Sequence, residues 1–184
     1  MTHIATPKEI LEFWFSDRVH KLWFNSTPEF DQELRDRFLQ TYIKCMNNEL
    51  KEWEDTTDGA LTLVIVLDQF PLNMFRGKPE SFATEAAARQ IAETVISRGD
   101  DNKLSDEQKA FLYLPFVHSE NLDDQNRSVA LYEQAGLIEN LKYAKHHREL
   151  IKRFGRFPHR NTILGRENTA EELAYLNSED AFLG

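Results

Sequence analysis

Apolar residues recur along this chain at three- and four-residue steps, and most such stretches are bounded by helix start and stop signals. Thr6-Pro7-Lys8-Glu9 places a capping Thr before Pro at the first helical position, with Glu completing a capping box. The helix that follows carries Ile10, Leu11, Phe13 and Trp14. Thr27-Pro28-Glu29 opens a longer one, whose apolar face runs through Phe30, Leu34, Phe38, Tyr42, Cys45, Met46, Leu50 and Trp53. Asp58-Gly59 then introduces a third helix, Ala60 to Phe70, apolar on nearly every side until Asp68, as a central buried helix is. Pro71 is expected to end it. The Val and Ile content of Leu61 to Leu67 would suit a strand, but the Asp-Gly start and the length favour helix.

Further along, Gly77 and Pro79 mark a loop, and a helix from about Phe82 to Arg98 stops at Gly99. Ser105-Asp106-Glu107-Gln108 is a second capping box, leading through Phe111 and Leu112 to a break at Pro115. Helices from about Leu122 to Ala135 and Glu139 to Phe154 end at Gly136 and Gly155, and Thr169-Ala170-Glu171-Glu172 caps a short last one. No long segment alternates with period two, and no Asn-Gly or Asp-Gly hairpin joins β-branched runs. The pattern predicts an all-α protein of antiparallel helix pairs joined by short loops, without a visible sequence repeat or linker. With 184 residues the chain is expected to form one domain, 1–184.

Composition adds limits. One cysteine, Cys45, rules out an internal disulfide, and its place in an apolar helical pattern reads as a core thiol rather than a nucleophile. The first residues, Met1 to Ala5, lack a basic stretch followed by an apolar one, and the longest apolar run is too short to span a bilayer. The expected compartment is therefore the cytoplasm, with no membrane partner. The net charge of −9 argues against nucleic acid, whose phosphates need a basic surface. That charge is segregated. From Lys142 to Arg166, eight basic residues stand against the single acid Glu149, leaving about +7 there and about −16 elsewhere. Such separation means internal salt bridging or an anion site.

Several blocks resemble one known family over nearly the whole chain. They are Phe13-Trp14-Phe15, Trp23-Phe24, Phe30-Asp31, Leu67-Asp68-Gln69-Phe70-Pro71 with Asn73, and Phe75-Arg76-Gly77. They continue with Leu112-Tyr113-Leu114-Pro115-Phe116, His118-Ser119-Glu120, Gln125, His147-Arg148, Phe154-Gly155-Arg156-Phe157-Pro158-His159-Arg160-Asn161 and Leu164-Gly165-Arg166. In this the sequence is similar to the bacterial domain-of-unknown-function 924 family. The resemblance implies an all-helical, tetratricopeptide-like fold and names no activity. Leu72 and Glu85 depart from the family's usual Arg and Asp.

Three polar blocks interrupt otherwise apolar helix ends: Asp68-Gln69, His118-Ser119-Glu120, and Arg156 to Asn161. Helix ends offer free backbone groups and a macrodipole. If they converge, Asp68 and Glu120 face Arg156, Arg160 and His159, and arginine forks suit carboxylate or phosphate. The residues expected to bind ligand are Asp68, Arg76, His118, Glu120, Arg156, His159, Arg160 and Asn161. The same set equally describes a structural ion-pair network around Phe154, Phe157 and Pro158. Adjacent His146 and His147 point to different helix faces, and His118 with Glu120 is too sparse a ligand set, so no metal is expected. Nor is a cofactor, in the absence of a Walker loop or dinucleotide fingerprint.

Three functions compete: binding of a small anionic metabolite, a peptide- or protein-binding scaffold using Phe13, Trp14, Phe15, Trp23 and Phe24, and a hydrolase. The last would use His118 or His159 as base beside Asp68 or Glu120. For the aromatic set, core packing is the plainer explanation.

Overall fold

The computed structural model describes residues 3–184; Met1 and Thr2, part of the leader reading, lie outside it. The protein is all-α, with no β-strand among the described residues. The chain divides into two compact units, one running to Arg76 and including Glu80–Pro115, the other comprising Gly77–Pro79 and Phe116–Gly184.

In the first unit, α1 (Pro7–Trp14) has the capping box at Thr6 and Glu9, α2 (Asp17–His20) is a single turn capped by Ser16, and α3 (Pro28–Met46) is capped by Thr27. The third helix is longer than its sequence suggests. α4 (Thr57–Val64) passes through a π-helical turn, Ile65–Gln69, into α5 (Phe70–Met74), so Pro71 lies inside the rod rather than beyond it. Proline cannot donate to the carbonyl four residues back. That carbonyl, of Leu67, instead accepts from the Thr84 hydroxyl just before α6 (Glu85–Ser97). A side chain thus supplies the bond that proline withholds.

α3 falls short of its expected length for a similar local reason. Asn48 adopts a left-handed backbone, φ 57°, and Lys51–Asp55 wind as a 3₁₀ turn. α4 packs on α1 and α6, and α5 on α3. Trp14, Phe38, Phe70, Leu34, Leu61 and Ile65 are fully enclosed in this core. Ring centroids lie 5.0 Å apart for Phe13 and Phe38, 5.5 Å for Trp14 and Phe70, and 4.6 Å for Trp23 and Phe111. The N-terminal aromatic residues therefore pack on one another and on Phe30, Phe38, Phe70 and Phe111; of them only Phe24 is strongly exposed, at 76%. Cys45 is buried, which pushes its thiol up to about 12. It is a core residue.

α7 (Asp106–Val117) begins at the Ser105–Gln108 capping box, continues through Pro115, and ends with its last two residues in the second unit. There α8 (Leu122–Ala135) and α9 (Ile138–Phe154) pack as a pair across the Gly136 turn. α10 (Ala170–Leu176) starts at the Thr169–Glu172 capping box. Leu150, Ile151, Phe157 and Tyr175 form the core beneath them, with Phe154, Leu176 and Phe182 packed against it.

Candidate functional site

The densest polar arrangement in the second unit surrounds the turn after α9. Gly155 takes a left-handed backbone, φ 70°, to end that helix, and Pro158–Arg160 form one 3₁₀ turn. Two glutamates fix its course. Glu120 accepts from the Phe157 N–H at 2.7 Å and from both terminal nitrogens of Arg166, at 2.7 and 2.8 Å. Burial raises the Glu120 carboxyl, but the Arg166 and Phe157 hydrogen bonds outweigh it and hold the group below the usual carboxylate range. Glu172 accepts from Arg156 through Nε at 2.7 Å and Nη2 at 2.8 Å while completing the Thr169 cap. The Arg156 bonds first of all, and the cap with them, bring it down to about 2.

Asn161, fully buried, receives the Arg166 Nε at 2.8 Å and donates to Asn168 at 2.7 Å. His118 is placed by a different device. Gln125 donates its amide nitrogen to the carbonyls of Val117 at 2.6 Å and Ser119 at 2.8 Å, tying off the open end of α7 on either side of that histidine.

Two imidazoles complete the arrangement. His147 is buried, with Nδ1 3.0 Å from the Tyr143 carbonyl; a carbonyl only accepts, so the proton is on Nδ1. Burial first, and then the neighbouring His118, His146 and His159, depress it to about 3 against the helping Tyr143 bond. His159 is mostly enclosed, and burial together with the Arg160 charge lowers it to about 4. Its Nδ1 is enclosed without a hydrogen-bond partner. The Arg160 guanidinium lies 4.9 Å from the Phe157 ring centroid and the residue is 6% exposed.

Of the expected ligand residues, His118, Glu120, Arg156, His159, Arg160 and Asn161 thus fall in the second unit. Asp68 and Arg76 belong to the first. Asp68 is wholly buried in the π turn, where it accepts from Gln69 at 2.6 Å. Arg76 holds Asp31 through Nε at 2.7 Å and Nη2 at 3.1 Å, and Ser26 donates to the same carboxylate. Sequence reasoning missed Arg166, Glu172 and Asp31 as ion-pair partners. Glu172 had a signal, its capping box, but that signal spoke only for helix α10. Among the described residues no cluster of three or more His, Cys, Asp and Glu is placed to hold a metal ion. The first unit has two open cavities, of about 820 and 590 Å³, neither lined by a residue of the expected set.

The family described as bacterial protein of unknown function (DUF924) matches residues 10–180. The chain belongs to that family. The chain is also similar to a solved structure, that of a protein of unknown function, ATU0120, from Agrobacterium tumefaciens. It is 39% identical, with the match covering 93% of this chain and 96% of the other at a TM-score of 0.88. No curated protein matches the chain significantly. No helix among the described residues is long and apolar enough to cross a membrane.

Proposed function

We propose that this DUF924 protein binds a small anionic metabolite at the turn after α9, with His159, Arg160 and His118 meeting the ligand. The observation that carries the reading is the enclosed, partnerless Nδ1 of His159 beside the fixed positive charge of Arg160. An unpaired buried polar atom costs about 1–3 kcal/mol, and a ligand able to hydrogen-bond it recovers that cost. Arg156 and Arg166 are matched by Glu172 and Glu120, so their role in this reading is to stiffen the turn, together with Asn161. Asp68 and Arg76 are held to a supporting role in the first unit. The proposal includes a cytoplasmic location and a tetratricopeptide-like array, for which the α8–α9 pair is the support.

Sulfate is a suitable probe because its charge is constant across the working pH range. It stabilises any fold weakly by exclusion, so the readout is the difference between wild type and variant. Melting of the wild type should rise more with sulfate than melting of H159Q or R160A. The excess should grow from pH 8 to pH 5, since a bound anion draws a proton onto His159. A screen of anionic metabolites by the same method then identifies the natural ligand, a ligand at a hundred times its Kd adding about 2.7 kcal/mol. Equal sulfate responses in wild type and both variants, with no hit in the screen, would overturn the proposal.

A further inference from the structure

Beyond α10 the chain has no regular structure, yet it returns to the histidines. Four rings meet at Phe182. Its centroid is 4.6 Å from that of His147, 5.0 Å from His159, 6.1 Å from Tyr143 and 6.2 Å from His146, each pair steeply inclined. Gly184 lies so close to the His159 ring that a Cβ there would stand 3.0 Å from its Cδ2. Apart from the packing of Phe182, the strap is held by few hydrogen bonds. The Phe182 N–H donates to the Tyr175 hydroxyl at 2.8 Å and the Ala181 N–H to the Ser178 carbonyl at 3.3 Å, while Leu183 is 71% exposed. Such a segment sits at the low end of local stability, from which gating elements are drawn.

Phe182 and Gly184 lie against the His159 ring, Gly184 on its Cδ2–Nε2 edge, and so cover an imidazole whose Nδ1 lacks a partner. Apolar cover over a polar imidazole is a cost, and a strap that leaves to admit a ligand accounts for it. We propose that residues 181–184 form a displaceable lid over His159, latched by Phe182, and that a small anion reaches the imidazole only when the lid lifts. This rests on the anion-site reading above. The charged and titratable groups whose fields act on His159 are Arg160, Glu120, His118 and Arg166, and His147 and His159 act on each other.

The test is the rate at which diethyl pyrocarbonate modifies His159, followed by mass spectrometry in the intact protein, with the exposed His3 and His20 as internal standards. His159 should react much more slowly than either standard in the wild type, and about tenfold faster in F182A. In Y175F the hydroxyl that holds the Phe182 N–H is gone while the core ring stays, so a smaller rise is expected even if F182A folds poorly. Sulfate should slow the reaction again in the opened variants. Unchanged His159 rates in both variants would overturn the lid, whether or not sulfate binds. A rise in rate that sulfate fails to slow would uphold the lid and overturn the anion site.

Discussion

Glu172 shows how one side chain in this protein does two jobs. Its carboxylate closes the N-terminus of α10 and fixes Arg156, and only the ionised form does both. Its pKa lies at about 2 when folded, against an ordinary value of 4.5. The unfolded chain therefore takes up the proton first as pH falls. The stabilisation is fully present above about pH 4.5 and disappears as pH falls towards 2. Glu172→Gln should cost about 2 kcal/mol at neutral pH, the range for hydrogen bonds to a charged group. Urea denaturation across pH should show that gap constant from neutrality down to about pH 5 and closing below it. A gap independent of pH would mean that the charge is not what Glu172 contributes.

At the scale of elements, the boundaries legible in the sequence were those written by neighbours in the chain. The Thr6, Ser105 and Thr169 caps and the Gly99, Gly136 and Gly155 stops stand where the residues announce them. What local pattern did not reveal came from partners distant in sequence. Pro71 reads as a stop, and it is carried inside a continuous rod because Thr84, thirteen residues later, satisfies the Leu67 carbonyl. The polar blocks of the candidate site were visible for the same reason as the caps. Their pairing was not, since Arg166 reaches back 46 residues to Glu120. Charge segregation announced that the basic segment needed carboxylates without saying which.

One such approach is sharply testable. Gly59 sits in the first turn of α4, where a Cβ would lie 2.2 Å from the Trp53 carbonyl oxygen and 2.8 Å from the Thr56 hydroxyl. Alanine favours a helix over glycine by about 1 kcal/mol. Forcing a backbone carbonyl aside costs about 1–3 kcal/mol or more. The clash should win, because a carbonyl in a 3₁₀ turn cannot rotate away as a side chain would. Gly59→Ala should lower the melting temperature by a few degrees, roughly 2–4 °C per kcal/mol for a chain of this size. A stabilised variant would mean that the Lys51–Asp55 turn yields freely.

For the whole molecule, the basic segment that set charge apart in the sequence is answered largely within its own unit. Arg153 pairs with Glu171, Arg156 with Glu172, Lys152 with Glu149 and Arg166 with Glu120. Whether 184 residues also behave as one thermodynamic body is a separate matter. Domain boundaries ordinarily fall in exposed, flexible linkers. Here Gly77–Pro79 is an exposed loop of that kind, but the remaining boundary falls inside α7, where a continuous helix and no linker joins the units. The expectation of a single domain thus predicts one cooperative unfolding transition. At about 0.7 kcal/mol per residue near 60 °C, unfolding of the whole chain has an enthalpy of roughly 130 kcal/mol. Units melting alone would give roughly 80 and 50 kcal/mol instead. Calorimetry decides between them: one peak whose van't Hoff and calorimetric enthalpies agree near the larger value is the expected result. Two peaks, or a van't Hoff enthalpy well below the calorimetric one, would make the chain two domains that share a helix.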